Sequence, residues 1–200
     1  NNNQGPAGRS VESYSGGYNA INAVNTVIDY IDEPEWAGET AAPERNHLLG
    51  SAYFLRSFFY MQLTMQFGNV AFPLNVVSEA RQDFKVFHMQ GIWDQMIADL
   101  EFAVDHVKPI SELPKGQAPN SAVKMLLAKY YMLNERFADA ETLMTQVINS
   151  SESELFTDDM VGRDSVMVGN RINPYHKDGW EGSGKAKELY LPGRTTIVAA

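Results

Sequence analysis

Residues Gly50 to Leu74 read GSAYFLRSFFYMQLTMQFGNVAFPL, and their apolar spacing decides the fold. Leu48, Ala52, Leu55, Phe59 and Leu63 recur at helical intervals, and Phe54, Phe58, Met61 and Met65 form a second stripe on the same helix. Two apolar stripes predict a central helix packed by neighbours on both sides. The helix is expected to run from about Pro43, a residue suited to a first turn, to Phe67, with Gly68 as its stop. Arg56 is the one charge inside the apolar span. An unpaired buried cation is prohibitively costly, so Arg56 is expected to lie buried against a carboxylate or backbone carbonyls. Beyond Gly68, NVAFPLNVV is β-prone, but Pro73 argues for extended or edge geometry.

Helical spacing continues on both sides of this stretch. Upstream, Tyr18, Ile21, Val24, Ile28 and Ile31 share a face of a first helix that begins after Gly17, and the first dozen residues of the chain, opening NNNQGPAGRS, are read as a loop or frayed end. Downstream, Gln90 to Val107 predicts a surface helix with Trp93, Met96, Ile97, Leu100, Val104 and Val107 inward. Asp94, Gln95, Asp99, Glu101 and Asp105 are assigned to its outer side. After the Pro-rich loop KPISELPKGQAP, two helices over about 121–133 and 136–150 are joined through Asn134 and Glu135, a connection short enough to make them antiparallel neighbours. Leu127, Ala128, Tyr131, Ala140, Met144 and Val147 sit at tetratricopeptide offsets, where small residues let the two helices approach. The expected fold is therefore mostly α, a tetratricopeptide-like helical repeat over 1–150. A loop-rich tail over 151–200 follows, with six glycines after residue 160 and weak strands near 165–168 and 195–199. Such a long helix-free tail, and a chain opening on Asn1, suggest a trimmed chain or a fragment.

Composition excludes several classes of function. The chain has 200 residues, with 16 Lys and Arg against 25 Asp and Glu, a net charge of −9, and no basic cluster; nucleic acid and anionic membrane surfaces are unsuitable partners. No run of 18 apolar residues occurs, so no transmembrane helix is expected. With zero cysteines, disulfides, thiolate metal sites and thiol catalysis are ruled out.

Motifs for chemistry are weak. Gly179 to Ala186, GWEGSGKA, has the spacing of a phosphate-binding loop, but Ala186 stands where magnesium needs a hydroxyl, so it is read as a plain loop. His47, His88, His106 and His176 have no second ligand at helical spacing. Asp29, Asp32, Glu33 and Glu35 gather after the first helix without calcium-loop spacing; they are read as a solvated acidic turn, with calcium the one cofactor left open. No G-x-S-x-G nucleophile elbow is present. Aromatic residues are more informative, because sugar rings present apolar C–H faces that stack on Trp and Tyr. Trp93 belongs to an inward stripe, whereas Trp36, Trp180 and Tyr175 fall in polar loops and are the candidate ligand-binding residues.

Taken in order, these segments resemble the SusD/RagB family of outer-membrane nutrient-binding lipoproteins. The resemblance rests on YNAINAVNTVI, on GSAYFLRSFFYMQLTMQFGNVAFPL, on IWDQMIADLEFAVDHV, and on SELP with the hairpin NSAVKMLLAKYYMLNERFADAETLMTQVINS. It covers about residues 18–150 and implies a SusD-like α/α superhelix. GNVAFPL carries extra residues between the Gly turn and the Pro, so the extended piece is expected to take its own path. The family's proteins are generally more than twice this long, and its lipidated cysteine is absent here. The resemblance further implies a non-catalytic cell-surface protein of a Gram-negative outer membrane. Such a protein captures an oligosaccharide, or in some relatives a peptide, and works with a SusC-like TonB-dependent transporter. Membrane attachment would come only through a lipid anchor. A helical-repeat adaptor for protein partners is the alternative, and a glycosidase using paired carboxylates is a more distant one.

Overall fold

The computed structural model describes residues 6–38, 40–79 and 83–150. Five α-helices carry the architecture: α1 Pro6–Asp29, α2 Ala41–Phe67, α3 Met89–His106, α4 Asn120–Leu133 and α5 Phe137–Asn149. Consecutive helices pack on one another, with α2 between α1 and α3 and touching α4, which is the helical-repeat arrangement expected. Between α2 and α3 a two-residue antiparallel ladder pairs β1, Val70–Ala71, with β2, Val86–Phe87; Val70 faces Phe87 and Ala71 faces Val86. Gly68, at φ 73°, ends α2 in the left-handed region that favours glycine. The tail expected over 151–200, its strands and its phosphate-loop spacing lie outside the described residues.

Three expectations need correction. α1 starts at Pro6, twelve residues before the predicted Tyr18, so residues 6–17 are helical and not a loop. Tertiary packing offsets its two adjacent glycines. Tyr14 stacks edge-on against Phe67 at 5.1 Å, and Gly17 lies so close to Leu63 that a Cβ there would sit 3.0 Å from its side chain. The apolar stripes of α2 also divide differently. Ala52 and Leu63 are buried, but Leu48, Leu55, Phe58 and Met65 are exposed, and the buried sector carries Arg56, Ser57, Tyr60 and Thr64 instead. Polar residues turn inward because every neighbour brings a partner. Trp93 Nε1 donates to Thr64 Oγ1 at 2.9 Å, Tyr130 Oη to the Ser57 carbonyl at 2.7 Å, and Tyr60 Oη to the Pro73 carbonyl at 2.8 Å.

The third correction is Asp99, placed outward by its position on α3 but only 4% exposed. It is the counter-ion of Arg56, itself 4% exposed as predicted. The guanidinium donates from Nε at 2.9 Å and Nη2 at 2.7 Å to Asp99 Oδ2, while Gln95 donates to Oδ1 at 3.0 Å. Nη1 reaches the Leu74 carbonyl at 3.1 Å and Asn25 Oδ1 at 3.3 Å, so one side chain joins α1, α2, α3 and the extended segment. Burial pushes the Asp99 carboxyl above its ordinary range, against the pull of Arg56 and Gln95.

The extended segment after β1 has no ladder of its own beyond Ala71, and a stripe on α1 supplies most of its remaining hydrogen bonds. Tyr18 donates to the Ala71 carbonyl at 2.7 Å, and Asn25 to those of Pro73 and Asn75 at 3.1 Å each. Asn22 takes the Val77 amide at 2.7 Å and donates to its carbonyl at 3.3 Å; Asp29 accepts from the Val76 amide at 2.7 Å. Residues 18, 22, 25 and 29 share one helical face, so helix geometry sets the path of the segment.

Candidate functional site

Trp36 lies in the turn between α1 and α2 and lines a cleft of about 710 Å³. Its indole Nε1 donates to the Ile31 carbonyl at 2.7 Å, which anchors the ring to the turn just after the first helix. Asp32 of the same turn is clamped by Arg45 of α2, with Nε–Oδ1 at 2.6 Å and Nη2–Oδ2 at 2.9 Å. That guanidinium holds the Asp32 carboxyl below its usual range. The half-buried ring is thus tethered by its own turn while it lines the cleft.

Leu48, Ser51 and Leu55, one stripe of α2, line the cleft together with Phe54, and Leu113, Pro114 and Gln117 line it from the loop before α4. Glu44 and Lys108 form an ion pair beside it, with His47 close by. His47 Nδ1 accepts from the Lys108 amide at 3.3 Å, so in its neutral form the ring keeps its proton on Nε2 as a donor. The Lys108 hydrogen bond lowers the Glu44 pKa, which keeps this carboxylate ionised at neutral pH. An apolar floor, an indole face and hydrogen-bonding groups at the edge suit a ligand with C–H faces and hydroxyls.

Trp180 and Tyr175 lie outside the described residues, so only Trp36 of the three predicted ligand residues is placed. Trp93 is core, as expected. Asp29 and Asp32 of the acidic turn hold Val76 and Arg45, and among the described residues no three His, Cys, Asp or Glu side chains come together as a metal site. His88 caps α3, its Nδ1 accepting from the Gln90 amide at 3.3 Å, and His106 stacks on Phe102 at 4.1 Å. Sequence reading missed the wall formed by residues 113–118, where the Pro-rich loop carried no signal besides its turn residues.

A family model described as "Starch-binding associating with outer membrane", of the SusD-like class, matches residues 2–132. The chain belongs to the SusD-like family. Solved structures of SusD-like proteins share its helical fold. A SusD-like protein from Bacteroides fragilis superposes with a TM-score of 0.61 at 20% identity, covering 74% of this chain and 28% of that one. A SusD superfamily protein from Parabacteroides distasonis gives 0.66 at 24% identity, over 75% and 33%. A surface glycan-binding protein A from Bacteroides uniformis gives 0.64 at 23%, over 84% and 35%. This SusD-like chain therefore spans about a third of the length of these structures. No curated protein matches it. No described helix is long and apolar enough to cross a membrane.

Proposed function

We propose that this SusD-like chain is part of a cell-surface protein that captures an oligosaccharide at the outer membrane and passes it, unaltered, to a SusC-like TonB-dependent transporter. The observation that carries the reading is the family match over residues 2–132, whose description names starch binding and the outer membrane. The Trp36 cleft supports it locally by offering an oriented indole above an aliphatic floor. A glycosidase needs a carboxylic acid kept protonated near neutral pH, and Lys108 drives Glu44 the opposite way. Trp180 and Tyr175 are proposed as further ligand contacts. Membrane attachment would be through a lipid anchor.

Calorimetric titration with neutral and charged oligosaccharides and with peptides tests this reading. Saturable sugar binding that weakens in Trp36→Ala is the expected result. Silence with every sugar, or preferential peptide binding, would overturn it for this chain.

A further inference from the structure

A second concavity of about 340 Å³ opens on the opposite use of α1, where the polar face that holds the extended segment meets solvent. Tyr14, Tyr18 and Asn22 line it at four-residue intervals, with Asn19 beside them; Pro73 and Phe84 close it from the segment between the helices. All of its lining side chains are uncharged at neutral pH, in contrast to the Trp36 cleft with Glu44, His47, Lys108 and Glu112. Tyr14 and Phe84 are 39% and 41% exposed, so each presents ring surface.

The two tyrosine rings on α1 are held, not loose. Tyr14 is fixed edge-on to Phe67 and lies 4.9 Å from Tyr18, whose hydroxyl is committed to the Ala71 carbonyl. Asn22 is occupied at both ends of its amide by Val77. Asn19 is exposed and has neither role, so its amide offers both a donor and an acceptor. Two partly exposed aromatic rings, one uncommitted amide and no charged lining side chain exclude an ionic ligand as the preferred occupant. They match a neutral ring with apolar C–H faces and hydroxyl edges, in a volume at the lower end of ligand sites.

We infer that the Tyr14–Asn19–Phe84 concavity is a second carbohydrate subsite, selective for an uncharged pyranose. This rests on the glycan-capture reading but assigns a distinct place and a distinct selectivity. Amide chemical shifts of the full chain, titrated with maltoheptaose and separately with trigalacturonate, test it. Maltoheptaose should move the amides of Asn19 and Phe84 saturably, and trigalacturonate should not. Phe84→Ala and Asn19→Ala should each weaken that response about tenfold while Trp36→Ala leaves it intact. Tyr14→Ala serves only as a supporting variant, because Tyr14 also packs on Phe67. Shifts confined to the Trp36 cleft would overturn the subsite and leave glycan capture standing. Shifts nowhere at saturating sugar would overturn both. Equal response to the uronate would overturn the selectivity.

Discussion

Arg56 carries a full charge into the packed interior, and its five N–H donors need more acceptors than one carboxylate supplies. Asn25 and the Leu74 carbonyl complete the set around Asp99. Removing either ionic partner alone leaves the other buried and uncompensated, at a cost of about 3–5 kcal/mol. Urea denaturation of Arg56→Ala and Asp99→Ala should show losses of that size, and the double substitution Arg56→Met with Asp99→Leu should recover most of them. Burial of Arg56 was legible because a lone cation in an apolar run has few affordable fates. Asp99 was not legible, since position on an amphipathic helix puts it outside and only the approach of α2 brings it in. At Trp36 two contributions separate. Trp36→Phe removes the hydrogen bond to Ile31 but keeps a ring, so stability should fall by about 1 kcal/mol with sugar binding largely retained. Trp36→Ala should weaken sugar binding at the cleft, as calorimetry would show.

Among the elements, the helices downstream of Gly68 were readable because their apolar periodicity agrees with their packing; α3, α4 and α5 fall within a residue or so of expectation. α2 was readable as central but not in its facing, because a helix apolar all round gives no moment to orient it. The α1 stripe of Tyr18, Asn22, Asn25 and Asp29 was missed: three polar residues at helical spacing look like a solvent face unless the chain they bind is known. Asn25 is fully buried and serves two carbonyls as well as Arg56. Asn25→Ala should therefore speed hydrogen exchange of the Val76 and Val77 amides far more than that of α4, with a stability loss of about 2–3 kcal/mol. The contacts entering α2 depend on acidity. Asp32 and Glu44 are held below the usual carboxylate range by Arg45 and Lys108, so their stabilisation is present above that range and is lost as pH falls through the lowered values. Carboxyl NMR should show both midpoints below ordinary Asp and Glu values, with Asp32 returning to normal in Arg45→Ala.

Across the described molecule, stacking of successive helices makes the α4–α5 hairpin dependent on its neighbours. Leu127, 2% exposed and part of the main core, should not tolerate a charge: Leu127→Asp should abolish the cooperative thermal transition followed by circular dichroism. The repeat scaffold was legible in sequence through small residues, Ala128 and Ala140, at the hairpin crossing. The candidate cleft was legible only as one loop tryptophan, because its opposite wall comes from a segment some eighty residues away that carries no periodic signal.

The hydrogen bonds that hold residues 71–77 come from α1 and α2 and run almost wholly to main-chain atoms. Their partners would be unchanged whatever side chains that strip carried. Mutational drift in Leu74, Val76 or Val77 would therefore alter what the strip presents while leaving its course in place. Within this scaffold it is a position where recognition can diversify while architecture is inherited intact.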